Sequence, residues 1–221
     1  MNATKPFGDL TTATILVIGH DPRLQRSQAQ AEVAFFFDYL TRPRPTSRSE
    51  ASKHDLAKAT CDYVGGLAGR QVSRTELYVT NLCNEFLEHA PGRSTVLIPD
   101  DLAGQGVQQI TQTIASGRFK VILSMAAQTF YHLCHLGFID EDSEVVRHFI
   151  QDARPRASKA AQGIYVQSGK APFLAVCGCR FHHRGVAVVP IVHVRQWPLR
   201  PRAMRYAEPM ARAQQEIRQL L

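Results

Sequence analysis

The sequence is poor in the signals that assign a chain quickly. No paired C-x-x-C set occurs, so a zinc knuckle is excluded. Neither a G-x-G-x-x-G turn nor a Walker loop is present, which removes the common nucleotide-binding fingerprints. The best apolar run, Ile15-Leu-Val-Ile18, is far too short to span a bilayer, and no basic–apolar–small cleavage pattern opens the chain. The five cysteines are odd in number, which suits reduced thiols better than a disulfide framework. A cytoplasmic protein without membrane attachment is expected. Internal repeats and long dividing linkers are also missing, so residues 1–221 are expected to form one domain.

What is present is ordinary in amount and informative in order. The 221 residues are 44% hydrophobic and 20% charged, enough to bury a core without covalent staples. The 26 basic and 19 acidic residues leave a net charge of +7, which favours an acidic partner, nucleic acid being the commonest. Ala13-Thr-Ile-Leu-Val-Ile-Gly19 is a continuous β-branched run ending in glycine, the pattern of a strand buried on both faces. Further strands are expected at Glu76–Asn81, Phe119–Ser124, Phe173–Cys179 and Val186–Val194. Helical patterns are expected at Ser27–Leu40, from a cap at Ser52 to the glycines 65–69, at Gln105–Ser116, at Ala126–Leu136 and at Ala207–Leu221. Residues 41–48 form a basic Pro-rich loop, and 150–172 are expected to be irregular. Strands separated by helices imply βαβ crossovers. The expected fold is a three-layer α/β/α sandwich around a central, mainly parallel four-stranded sheet.

In such a sheet the site lies beyond the carboxyl ends of the strands. That rule selects Gly19-His20-Asp21-Pro22-Arg23, Thr80-Asn81, Ser124-Met125 and His193-Val-Arg-Gln-Trp-Pro-Leu199. An Asp, an Asn and a His from distant positions therefore converge. The Asp can activate water or stabilise a developing cation, the His can donate to a leaving oxyanion, and the Asn offers a paired donor and acceptor for a planar edge. Several other residues have simpler readings. His132 and His135 stand at helical spacing around Cys134 but lack a second matched pair, so they are expected to be structural. His182 and His183 are expected at an exposed hairpin tip. Most of Phe35-Phe-Phe37 belongs to the core.

The ordered set Ile-Leu-Val-Ile-Gly-His-Asp-Pro, Tyr-Val-Thr-Asn and Ile-Val-His followed by Pro-Leu resembles the uracil-DNA glycosylase superfamily, from Ile15 to about Pro201. The first motif is similar to the Gly-Gln-Asp-Pro-Tyr of the classical enzymes; the other two are closer to the iron–sulfur branch. The resemblance implies a DNA repair enzyme of base excision that flips a uracil or related deaminated base and hydrolyses its N-glycosidic bond. It implies that Asp21 handles water and the cationic sugar, and that His193 stabilises the departing uracil anion. It also implies that Asn81 reads the base edge with His20 beside it, that Phe35 or Phe36 stacks on the base, and that Arg23 and Arg195 meet DNA. Trp197 or Leu199 would be the minor-groove wedge. DNA is then the partner, the protein acts as a monomer, and no metal or organic cofactor is required.

Four departures from the family pattern stand out. His20 replaces the glutamine and Arg23 the tyrosine. His193-Val-Arg195 replaces His-Pro-Ser, and no cysteine precedes Gly19 to complete a cluster set. Arg23 and the altered motif after His193 favour an alternative, a module of the same fold that holds a base or nucleic acid without cleaving it.

Overall fold

A computed structural model describes residues 3–20, 32–85, 98–140, 142–153, 155–159, 164–167, 171–196 and 205–221. The first strand, β1 (Ile15–Gly19), is buried along its whole length, as its unbroken apolar run requires. It lies between β2 (Leu77–Asn81) and β3 (Val121–Met125), parallel to both. Strand β7 (Val186–Ile191) continues the parallel set beyond β3, and the short β6 (Phe181–His183) closes that side antiparallel to β7. The order is β2-β1-β3-β7-β6, a five-stranded and mostly parallel sheet. The expected architecture holds with one strand more than expected.

Helices flank the sheet. On one face α1 (Arg48–Ala68) packs against α6 (Ala207–Leu220) and against a 3-10 segment (Ala34–Thr41). Its Tyr63 hydroxyl donates to the Val192 carbonyl just past β7, at 2.8 Å. On the other face α2 (Asp100–Ser116) packs against α3 (Ala127–His135), which lies on β3 and β7. The core between them includes Leu16, Ile18, Leu77, Ile122, Leu123 and Phe130, all essentially inaccessible. The chain leaves β1 toward β2 and later returns across β1 to β3. The direction of winding reverses there, the place beyond the carboxyl ends of β1 and β3 where sheets of this kind bind ligands.

Several expected elements move. The helix cap is Ser47, whose Oγ accepts from the Glu50 amide at 3.3 Å, and not Ser52. The helix ends where Gly69 takes a left-handed conformation, φ 69°. Of the helix expected over Ser27–Leu40, residues 27–31 lie outside the described set. The remainder is 3-10 and kinked, because the Ala34 amide donates to Lys5 O at 2.9 Å and draws the chain toward the N-terminal segment. Phe173–Cys179 forms no strand. Its apolar run fits a buried helix equally well, and α5 (Ala171–Val176) occupies most of it. The stretch expected to be irregular contains the end of α4 (Glu144–Ala153) and an antiparallel hairpin of β4 (Pro155–Lys159) with β5 (Ile164–Gln167).

The β6–β7 turn is Arg184-Gly185, with φ of 50° and 80°, the two positive values a two-residue type I′ loop demands. His183 is thus no exposed tip. It is buried, its ring is stacked on Phe138 at 3.8 Å, and its Nδ1 lies 2.5 Å from the Phe138 carbonyl. Among the described residues no helix is long and apolar enough to cross a membrane.

Candidate active site

The parallel register sets Gly19 opposite Asn81 at the carboxyl end of the sheet. The ladder extends past the strands: the Leu82 amide donates to Gly19 O at 2.9 Å and the Cys83 amide to His20 O at 3.0 Å. Asn81 is therefore fixed by backbone pairing on both sides. It is buried, and among the described residues nothing hydrogen-bonds its side-chain amide. That amide keeps a donor and an acceptor for a planar edge.

Phe35 covers this corner. A methyl group on Gly19 would run into the Phe35 ring and come within 2.6 Å of Asn81 Oδ1. The absence of a side chain at Gly19 is what lets the ring lie on the strand end. Phe35 has φ 54°, ψ 19° and Phe36 has φ 58°, ψ 32°, left-handed values that cost a non-glycine residue roughly 1–3 kcal/mol each. Strain of this kind persists only where its surroundings impose it.

His193 completes the group. It follows β7 by two residues, so alternation returns it to the face that Ile191 shares with Met125. Its half-buried ring is nearly parallel to that of Phe35, 22° apart in plane and 6.4 Å between centroids. The Arg195 amide donates to His193 Nδ1 at 3.1 Å. A lone pair must therefore sit on Nδ1, and the neutral ring carries its proton on Nε2. The turn is closed by the Gln196 amide on His193 O at 2.7 Å. The local sequence thus turns His193 into a hydrogen-bond donor at its outer nitrogen without requiring it to be charged.

The structure brings together Phe35, Asn81 and His193 from the expected set. Two others make different ring contacts. The His20 ring sits 6.3 Å from that of His132, toward α3. The Phe36 ring turns instead to Tyr39, edge-on at 6.1 Å. Arg195 is exposed and contributes its backbone amide to His193. Asp21, Arg23, Trp197 and Leu199 lie outside the described residues. Asp21 follows His20 directly in the sequence.

Sequence reasoning misses two features of this edge. Ala126, directly after β3, has φ 82°, a value that favours glycine, and α3 then starts with no side-chain cap. Only the backbone reveals this. The second is a histidine behind the strand end. His132 is buried, both of its ring nitrogens lack a hydrogen-bond partner, and its Nδ1 is 4.0 Å from Asp100 Oδ1. Burial pushes its pKa down to about 3, with His20 and His135 adding repulsion. The i,i+3 spacing of His132 and His135 hints at the pair, but α2 supplies Asp100 from a distant position. Among the described residues no group of three or more histidine, cysteine or carboxylate side chains could hold a metal ion.

A cavity of about 590 Å³ between α1 and α6 is lined by Tyr63, Leu67, Val194 and Met210. It includes none of Phe35, Asn81 and His193, so the chemistry does not point to it. No protein-family model matches the chain, and no curated protein matches it either.

Proposed function

We propose that this protein is a DNA glycosylase of the uracil-DNA glycosylase type, acting on uracil or a related deaminated base in base excision repair. The observation that carries the reading is the trio at the sheet edge. A strained aromatic residue lies against a buried asparagine amide, beside a histidine whose Nδ1 accepts the Arg195 amide. Such a corner offers a stacking surface, an edge reader and a donor for a developing anion. Those are the requirements for binding and releasing a flipped pyrimidine.

The reaction follows from these roles. Water attacks C1′ while the bond from C1′ to the base nitrogen breaks. The bonding pair leaves with the base, and the Asp21 carboxylate takes the proton of water. The Nε2–H of His193 donates to the base oxygen on which charge accumulates, an interaction that strengthens as the bond breaks. Asn81 pairs with the carbonyl and imide of uracil and mismatches the exocyclic amine of cytosine. Leaving buried polar groups unpaired is the strongest available discrimination. The net charge of +7 and the uncapped start of α3 suit a phosphate backbone.

A second reading, base or nucleic-acid binding without cleavage, is favoured by Arg23 and by Arg195 in place of the family's residues. The deciding experiment is a cleavage assay on oligonucleotides carrying uracil, hypoxanthine, xanthine or thymine opposite each base. It is run beside Asp21→Asn, which should keep DNA affinity and lose about a hundredfold or more in rate. Binding of uracil DNA with no cleavage by the unaltered protein would select the second reading. Unchanged turnover in Asp21→Asn would remove the acid from the mechanism.

A further inference from the structure

We propose that Lys53 is a positioning residue for the Phe35 ring, an inference that rests on the glycosylase reading for its consequence but not for its geometry. Lys53 lies in α1 and is 5% exposed. Among the described residues no carboxylate pairs with it. Its Nζ instead stands 5.6 Å from the centroid of Phe36 and 5.6 Å from that of Tyr39. Both distances fall within the range of attraction between a cation and a ring face.

The two rings stand three residues apart in the 3-10 segment, and the strained kink lies at its start. Phe36 is the second of the two left-handed residues, and its amide donates to Val33 O at 3.1 Å. Phe37, the next residue, is fully buried and packs on Phe7 at 5.0 Å. The turn is thus anchored in the core on one side and clamped by Lys53 on the other. With Phe36 held toward α1, Phe35 is left on the opposite side of the kink, over Gly19 and Asn81. A methionine would fill the space of Lys53 with less desolvation. What the ammonium adds is the simultaneous hold on two ring faces.

Lys53→Met and Lys53→Arg separate the possibilities. The readouts are the ring-proton resonances of His193, which sense the neighbouring Phe35 ring, the melting temperature, and KM and kcat on uracil-containing oligonucleotides. The expected result for Lys53→Met is a near-unchanged melting temperature, displaced His193 resonances, and a KM raised roughly tenfold with a smaller change in kcat. Arginine keeps the cation and should restore both the resonances and KM. Tyr39→Leu, which removes one ring from a half-buried site, should move the same resonances part of the way, and it serves if Lys53→Met does not fold. His193 resonances unmoved in Lys53→Met, or in Tyr39→Leu, would overturn the proposal. So would a lowered melting temperature that arginine cannot restore. The resonance measurement needs no cleavage, so an inactive protein would end the glycosylase reading and leave this test standing.

Discussion

His132 makes a quantitative claim about acid stability. A free histidine protonates near 6.5, whereas burial holds His132 neutral down to about 3. Between those values the unfolded chain binds a proton that the folded chain refuses. Stability is therefore complete above 6.5 and is lost as pH falls, with a limiting slope of about 1.4 kcal/mol per pH unit. Integrated from about pH 7.5 to about pH 4.5, the loss from this one residue is about 2.5 kcal/mol. Most carboxylate effects come later: Asp55 is held down to about 2 by Arg44, and Glu76 is lowered by Arg70, so their contributions disappear mainly below that window. His183, also lowered by burial, acts in the same direction and is present in both proteins compared. The perturbation is His132→Leu, which fills the space and abolishes the titration. Urea unfolding at the two pH values gives the stabilities by linear extrapolation. The unaltered protein should lose about 2.5 kcal/mol more than the variant on acidification. Near neutral pH the variant should match or exceed it, because two unpartnered ring nitrogens are removed. Equal acid losses in the two proteins would refute the reasoning.

Four other outcomes are expected. Gly19→Ala pushes a methyl group into the Phe35 ring and Asn81, so cleavage should fall by about tenfold or more while far-ultraviolet dichroism is unchanged; unaltered KM and kcat would show that the ring does not serve the site. Asn81→Asp should weaken uracil cleavage and admit cytosine, and Asn81→Ala should flatten the ranking of bases; a ranking identical to the unaltered protein's would make Asn81 structural. Replacing Trp197 and Leu199 with alanine should damage cleavage in duplex more than in single strands, since a wedge repays unstacking that single strands do not need; equal damage with a lowered melting point would mean packing instead. His20→Gln removes a repulsive neighbour of His132, so the pKa of His132 should rise toward 6.5 and the acid loss should shrink, a shift readable by histidine resonances against pH.

The fold was legible where one physical signal dominated. Five consecutive apolar residues ending in glycine admit little besides a strand buried on both faces, and Ile15–Gly19 is one. Alternation of such runs with helical patterns gave the parallel sheet. Legibility failed where two structures share a pattern. The apolar run around Phe173 serves a helix as well as a strand, and three residues at Phe181–His183 are too few to show a period. The cap moved from Ser52 to Ser47 because both serines precede an acidic residue by three positions, and only the path of the Pro-rich loop selects between them.

The candidate site was legible through topology, and its fine placement depends on tertiary contacts. Naming the carboxyl ends of strands is enough to choose Asn81 and His193, because parallel register carries those ends to one edge. It does not distinguish Phe35 from Phe36. That choice is made by a backbone kink held between Lys5 and Phe7 on one side and Lys53 on the other, segments far apart in sequence. Nor does it say which way His20 turns. Strand alternation offers an answer: Gly19 opens toward Phe35 and Asn81, and the next residue is carried to the opposite face, where His20 meets His132. Neighbouring residues of one motif are thus divided between the Phe35–Asn81 corner and a ring contact with the buried His132. Lost cleavage at Gly19 and altered acid stability at His20 should therefore be separable, although the two residues share a peptide bond.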